Sequence, residues 1–150
     1  MAHQPSAAAT YNGRTMRPEC REAPPALLRR GIAELNGGAY FEQHEILEDL
    51  WRAERREVRR LYQGILQIGV AMHHLRNRNH HGAVYMLQRG MLYLRPFSPC
   101  CQSVDVADLL AQAARILAAV EDLGPAGLER FDWALAPHVR LVPEPSPGKP

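Results

Sequence analysis

Between residues 106 and 120 the chain places Val106, Leu109, Leu110, Ala113, Ile116, Leu117 and Val120 close to every 3.6 positions. That is the period of one buried face of an α-helix. A half-buried strand would alternate apolar and polar residues instead, and no segment of this sequence does so convincingly. Asp105 or Ser103 suits the start, because a short oxygen-bearing side chain can accept from the unpaired N–H groups of a first turn. Gly124 followed by Pro125 ends the run.

The same period recurs upstream. "PPALLRRGIAELNGG" opens on proline, carries Leu28, Ile32 and Leu35, and closes on Asn36, Gly37 and Gly38. A second helix runs from Tyr40 to about Arg52 and a third covers "RLYQGILQIGVAMHHLRNR", with Asn77 to Asn79 as the turn. Asn79 can cap "HHGAVYMLQRGMLYLR", whose stripe is Ala83, Leu87, Met91 and Leu94 and which Pro96 stops. "FDWALAPHVRLV" reads as a short extended or irregular strap over the bundle. The fold class expected is therefore all-α, a single small bundle of about five helices spanning 24–142. Residues 1–23 and 143–150, rich in Ala, Pro and Ser without periodicity, read as disordered tails.

At 150 residues and 46% hydrophobic, the chain has enough apolar mass for one domain with a sizeable core. A net charge of +2, from 18 basic and 16 acidic residues, argues against a nucleic-acid or membrane-surface protein on overall charge. No apolar run reaches the roughly 18 residues of a membrane span, and the first twenty residues lack a signal-peptide apolar core. Cys20, Cys100 and Cys101 form neither an even disulfide framework nor a CxxC pair. These points place the protein in a reducing compartment, the cytoplasm.

The chemistry concentrates in "YFEQHEILEDLW", residues 40–51. At about 100° per residue, Tyr40, Phe41, His44, Leu47, Glu48 and Trp51 fall within about 120° of one another, so His44 and Glu48 should point inward. Gln63, Gln67, Val70 and His74 make a second ridge on the next helix. Consecutive helices with a short connection pack antiparallel, which lets the two ridges face each other. The expected product is an internal polar cluster of His44, Glu48, Gln63, Gln67 and His74, walled by Phe41, Trp51 and Tyr62.

"NGGAYFEQHEILEDLW", "YQGILQIGVAMHHL" and "LQRGMLYL" together resemble the bacterial and archaeal domain-of-unknown-function 309 family. The family pattern His-x-x-x-Glu-x-x-Trp corresponds to His44, Glu48 and Trp51, and its Gln-Gly-x-x-Gln pair to Gln63, Gly64 and Gln67. The likeness covers about residues 27–97. It implies a small all-α bundle with no established activity.

Three chemistries compete for the cluster. In a binding or catalytic pocket, His44 is the general acid or base, Glu48 orients it, and Gln63, Gln67, His74, Trp51 and Phe41 hold a small polar ligand. No cofactor is required by that set. A transition metal on His44, Glu48 and His74 is the minority alternative, because glutamine amides are poor zinc ligands and "HEILE" lacks the second histidine of HExxH. In the third reading the cluster only fixes helix register within a structural or interaction module, with a homo-oligomer as one form of it. Outside the cluster, residues 52–60 hold five arginines and two glutamates. Such a run is more often a solvated connection than a phosphate contact. His73, His80 and His81 with Arg76 and Arg78 read as an exposed turn.

Overall fold

The computed structural model describes residues 10–11 and 14–143 and consists of five α-helices with short accessory turns. The helices are α1 (Ala26–Asn36), α2 (Tyr40–Ala53), α3 (Arg59–Arg76), α4 (His80–Leu94) and α5 (Val106–Leu123). Four two-residue strands form two antiparallel pairs, β1 (Thr10–Tyr11) with β2 (Arg14–Thr15) and β3 (Cys100–Cys101) with β4 (Val104–Asp105). The all-α reading holds. Residues 1–9, 12–13 and 144–150, which carry most of the proposed tails, lie outside the described residues.

Helix ends follow the local chemistry. Asn79 accepts from the Gly82 N–H at 2.9 Å and caps α4, and Asp105 accepts from the Asp108 N–H at 3.0 Å and caps α5. After α1, Gly38 turns left-handed with φ +81°, and the Ala39 N–H reaches back to the Glu34 carbonyl at 2.8 Å. This closure satisfies carbonyls that a helix end leaves open, and it reverses the chain into α2 within three residues.

The central helix is α3, with α2 on one flank and α4 on the other. Its close neighbours are made possible by glycine. A Cβ on Gly64 would stand 2.7 Å from Leu94 Cγ, and one on Gly90 would stand 3.0 Å from the Gly64 carbonyl oxygen. Thus α3 and α4 meet backbone to backbone. Leu61, Ile65, Ile68 and Met72 of α3 are fully buried with Leu87, Leu94, Leu109 and Ile116.

The strap is irregular and held by two amides. The side chain of Asn36 donates to the Val139 carbonyl at 3.0 Å and accepts from its N–H at 2.7 Å. Gln112 does the same for His138, at 2.8 Å in each direction. Each amide thereby replaces a missing strand partner.

Two expectations need correction. The packed part of the chain begins before residue 24: Pro18–Arg21 is a 3-10 turn whose Cys20 is buried and disulfide-bonded to Cys101. An odd cysteine count had concealed one pair, with Cys100 left free. The argument from cysteines to a reducing compartment therefore lapses. No helix among the described residues is long and apolar enough to cross a membrane.

Tyr62 is fully buried, yet it faces the disulfide end of the molecule, not the wall of a pocket. Its hydroxyl donates to Gln102 Oε1 at 2.8 Å. Gln102 and Ser103 both have positive φ, 46° and 66°, and together make the tight β3–β4 turn that carries the amide inside. Burial pushes the Tyr62 phenol from 10.0 up to about 12. Because the folded value is raised, its contribution to stability is complete below the unfolded pKa and is lost as pH rises through the folded one. Moving from neutral pH to about pH 11 should cost about 1.4 kcal/mol through this group. Urea unfolding of wild type and Tyr62→Phe across that interval should differ by this amount; parallel curves would refute the assignment.

Candidate functional site

The buried face of α2 is made by Tyr40, Gln43, Leu47 and Leu50. It is rotated by about a quarter turn from the face expected to hold His44 and Glu48. The reason lies in two glycine notches. A Cβ on Gly31 of α1 would collide with the Leu47 side chain, and one on Gly69 of α3 with the Gln43 amide. Those side chains, not the aromatic ones, sit closest to the neighbouring helices. Gln43 is wholly buried, and its Nε2 donates to the Leu66 carbonyl at 3.2 Å. Nothing in the helical wheel of α2 singles out Gln43; the available signal is glycine at 31 and 69 on its neighbours.

His44, Glu48 and Trp51 consequently occupy the edge of α2. The His44 side chain is 40% exposed and Glu48 26% exposed. His44 Nε2 lies 3.1 Å from Glu48 Oε2, while Arg52 engages the other carboxylate oxygen. A pair this exposed contributes little to folding. Phe41 is an exposed ring whose centroid stands 6.4 Å from that of His73, and Trp51 is partly buried under the Arg59 guanidinium, 5.4 Å from its ring centroid. These contacts establish the antiparallel register of α2 on α3: Phe41 beside His73, Gln43 beside Gly69, Trp51 beside Arg59.

On α3 the expected ridge is present. Gln63, Gln67, Val70 and His74 are each partly exposed. They lie between the side packed on α2 through Leu66 and Gly69 and the side packed on α4 through Gly64 and Ile68. The ridge thus faces outward between these two packed sides. Gln63 Oε1 accepts from Arg60 at 2.7 Å, and a His74 ring nitrogen lies 3.3 Å from Asn79 Nδ2. Burial, with His73 adding to it, holds the His74 imidazole below its usual pKa, so the neutral ring is favoured.

The structure brings together His44 with Glu48 and, at the far end, Trp51 with Arg59. Among the described residues no hydrogen bond or ion pair joins His44 or Glu48 to Gln63, Gln67 or His74. Nor do any three His, Cys, Asp or Glu side chains among them come together to hold a metal ion. The His44, Glu48, His74 triad is therefore not assembled. Among the described residues, four buried polar atoms have no hydrogen-bond partner: Gln43 Oε1, Trp51 Nε1, Arg59 Nε and Gln67 Oε1. All four belong to α2 and α3.

The fold is a small helical bundle whose central helix carries a partly exposed polar ridge beside the His44–Glu48 pair. The family model described as "Domain of unknown function (DUF309)" matches residues 28–86, which bears out over that segment the resemblance read from His44, Glu48, Trp51, Gln63 and Gln67. An uncharacterized protein of Aquifex aeolicus is 21% identical over 104 residues, 69% of this chain and 31% of its own length. Uncharacterized protein YpuF of Bacillus subtilis is 37% identical over 57 residues, 37% of this chain and 33% of its own. The chain thus spans about a third of the length of these relatives.

Proposed function

We propose that the face between α2 and α3 binds a small polar ligand. The observation that carries this reading is the set of orphaned polar atoms. Trp51 Nε1 and Arg59 Nε offer two N–H donors at one end of this face, and Gln67 Oε1 offers an acceptor two helical turns along α3, about 12 Å away. Folded proteins pair the great majority of such groups, and each one left unpaired costs about 1 to 3 kcal/mol. A ligand with acceptor oxygens at one end and a hydrogen-bond donor at the other would meet all three. His44, oriented by Glu48, stands beside the ridge as a proton donor or acceptor.

The competing role, fixing the register of two helices, suits Gln43, which is wholly buried and bonded to the facing helix, whereas His44 and Glu48 are part-exposed and pair within α2. The two roles separate experimentally. Gln67→Leu removes an acceptor that no group among the described residues uses, so it should be neutral or stabilising by about 1 kcal/mol. His44→Ala should change stability by less than about 0.5 kcal/mol. Both variants should abolish any thermal shift that wild type shows with a panel of simple carboxylates, amides and sugar phosphates. Should Gln67→Leu destabilise by about 2 kcal/mol or more, the ridge is scaffold and the binding reading is withdrawn.

A further inference from the structure

The arginine run 52–60 does not act as one unit. Arg56 is held by Glu22, at 2.6 Å, and by Glu54, at 2.9 Å, and Arg52 by Glu48. Among the described residues, Arg59, Arg60 and Arg89 of α4 have no carboxylate partner. Each is stacked on an aromatic ring instead. Arg59 covers Trp51 at 5.4 Å, Arg60 covers Tyr93 at 5.3 Å, and Arg89 lies against Tyr93 at 5.3 Å and Tyr85 at 5.8 Å. Because Arg60 and Arg89 share Tyr93, their contacts join α3 to α4, and the sequence neighbour Arg59, over Trp51, extends the row to α2. At helix spacings of 8 to 10 Å, the row is roughly 20 Å long.

We propose that this row is a binding surface for single-stranded nucleic acid. Three guanidiniums without counter-charge set the sign of the partner, and ring stacking holds them in place before it arrives. Arg60 donates to Gln63 and Arg89 to the Tyr93 hydroxyl, one hydrogen bond each, while a guanidinium carries five donors. Most of the fork therefore remains available to phosphate oxygens. Tyr85 is 47% exposed, so its ring presents a face to solvent next to those charges. Charge alternating with planar groups fits a backbone of phosphates carrying stackable bases. An acidic peptide would use the charge and leave the rings idle, and duplex DNA hides its base faces. The overall charge of +2 concealed the row, since paired acids elsewhere offset it.

The test is fluorescence anisotropy of labelled oligo(dT) with the full chain, in rising salt. Binding at low salt should weaken with a slope of about −2 in log K against log salt, from three phosphates at about 0.7 each. The pair Arg60→Gln and Arg89→Gln should bring the slope to about −0.7. Tyr85→Ala, at an exposed position, should lower affinity about tenfold with the slope unchanged. None of these three residues belongs to the small-ligand reading, so failure of one proposal leaves the other standing. Absence of binding at low salt, equal affinity for polyglutamate or duplex DNA, or indifference to Tyr85→Ala would each overturn the assignment.

Discussion

Breaking the Cys20–Cys101 bridge is expected to destabilise the protein by about 4 kcal/mol, with all five helices still forming. The bridge closes a loop with a sequence separation of 81. Chain entropy alone assigns a cross-link of that span about 4.5 kcal/mol, and native bridges in small domains are worth about 2 to 5. Other ties between the same segments remain: the Gln102 N–H donates to the Cys20 carbonyl at 2.8 Å, Gln102 Nε2 to the Glu19 carbonyl at 3.2 Å, and Arg56 pairs with Glu22. They are non-covalent and are lost on unfolding, so they do not substitute for a covalent constraint on the unfolded chain. Denaturant unfolding with and without reductant, and of Cys20→Ser, should show the loss as a lowered midpoint. Alkylation of the denatured, unreduced chain should label Cys100 alone. Three labelled cysteines, or a midpoint indifferent to reductant, would remove the bridge from the account.

The fold was legible because helices advertise themselves locally. The 3.6 period of α5, the Asn79 and Asp105 caps and the glycine exit of α1 depend on residues within a few positions of one another. The phase of α2 was not legible in the same way. Phe41 and Trp51 dominate a helical wheel by size, but a peripheral helix settles where its neighbours leave space, and here the notches at Gly31 and Gly69 chose Leu47 and Gln43. The predicted site residues were accordingly placed on the right helices and pointed too far inward. The Arg60 to Tyr93 contact and the Tyr62 to Gln102 hydrogen bond join residues 33 and 40 positions apart, and the second turns on a two-residue hairpin. No local pattern announces such contacts. Cysteine counting failed for the related reason that parity says nothing about which side chains the fold brings together.

The Gln43 notch supplies the sharpest test of what holds α2 to α3. A methyl group at Gly69 would collide with the Gln43 amide, and Gln43, wholly buried, has no exposed route by which to move aside. Gly69→Ala should therefore cost an overpacking term of about 1 to 3 kcal/mol plus about 1 for the lost bond to the Leu66 carbonyl. Alanine returns about 1 kcal/mol through its better helix propensity, which leaves a net loss of about 1 to 3. Gln43→Ala alone should cost about 2 kcal/mol, the low end for emptying a buried site, because it also releases a buried oxygen that has no partner. Combined, the two changes should compensate. The new methyl occupies part of the space that the amide vacates, so the double variant should sit about 1 kcal/mol below wild type, a coupling of about 3. Additive losses in that cycle would mean that Gln43 does not set the helix register. The polar residues along the edge of α2, His44 and Glu48 among them, would then have to be reconsidered as the scaffold.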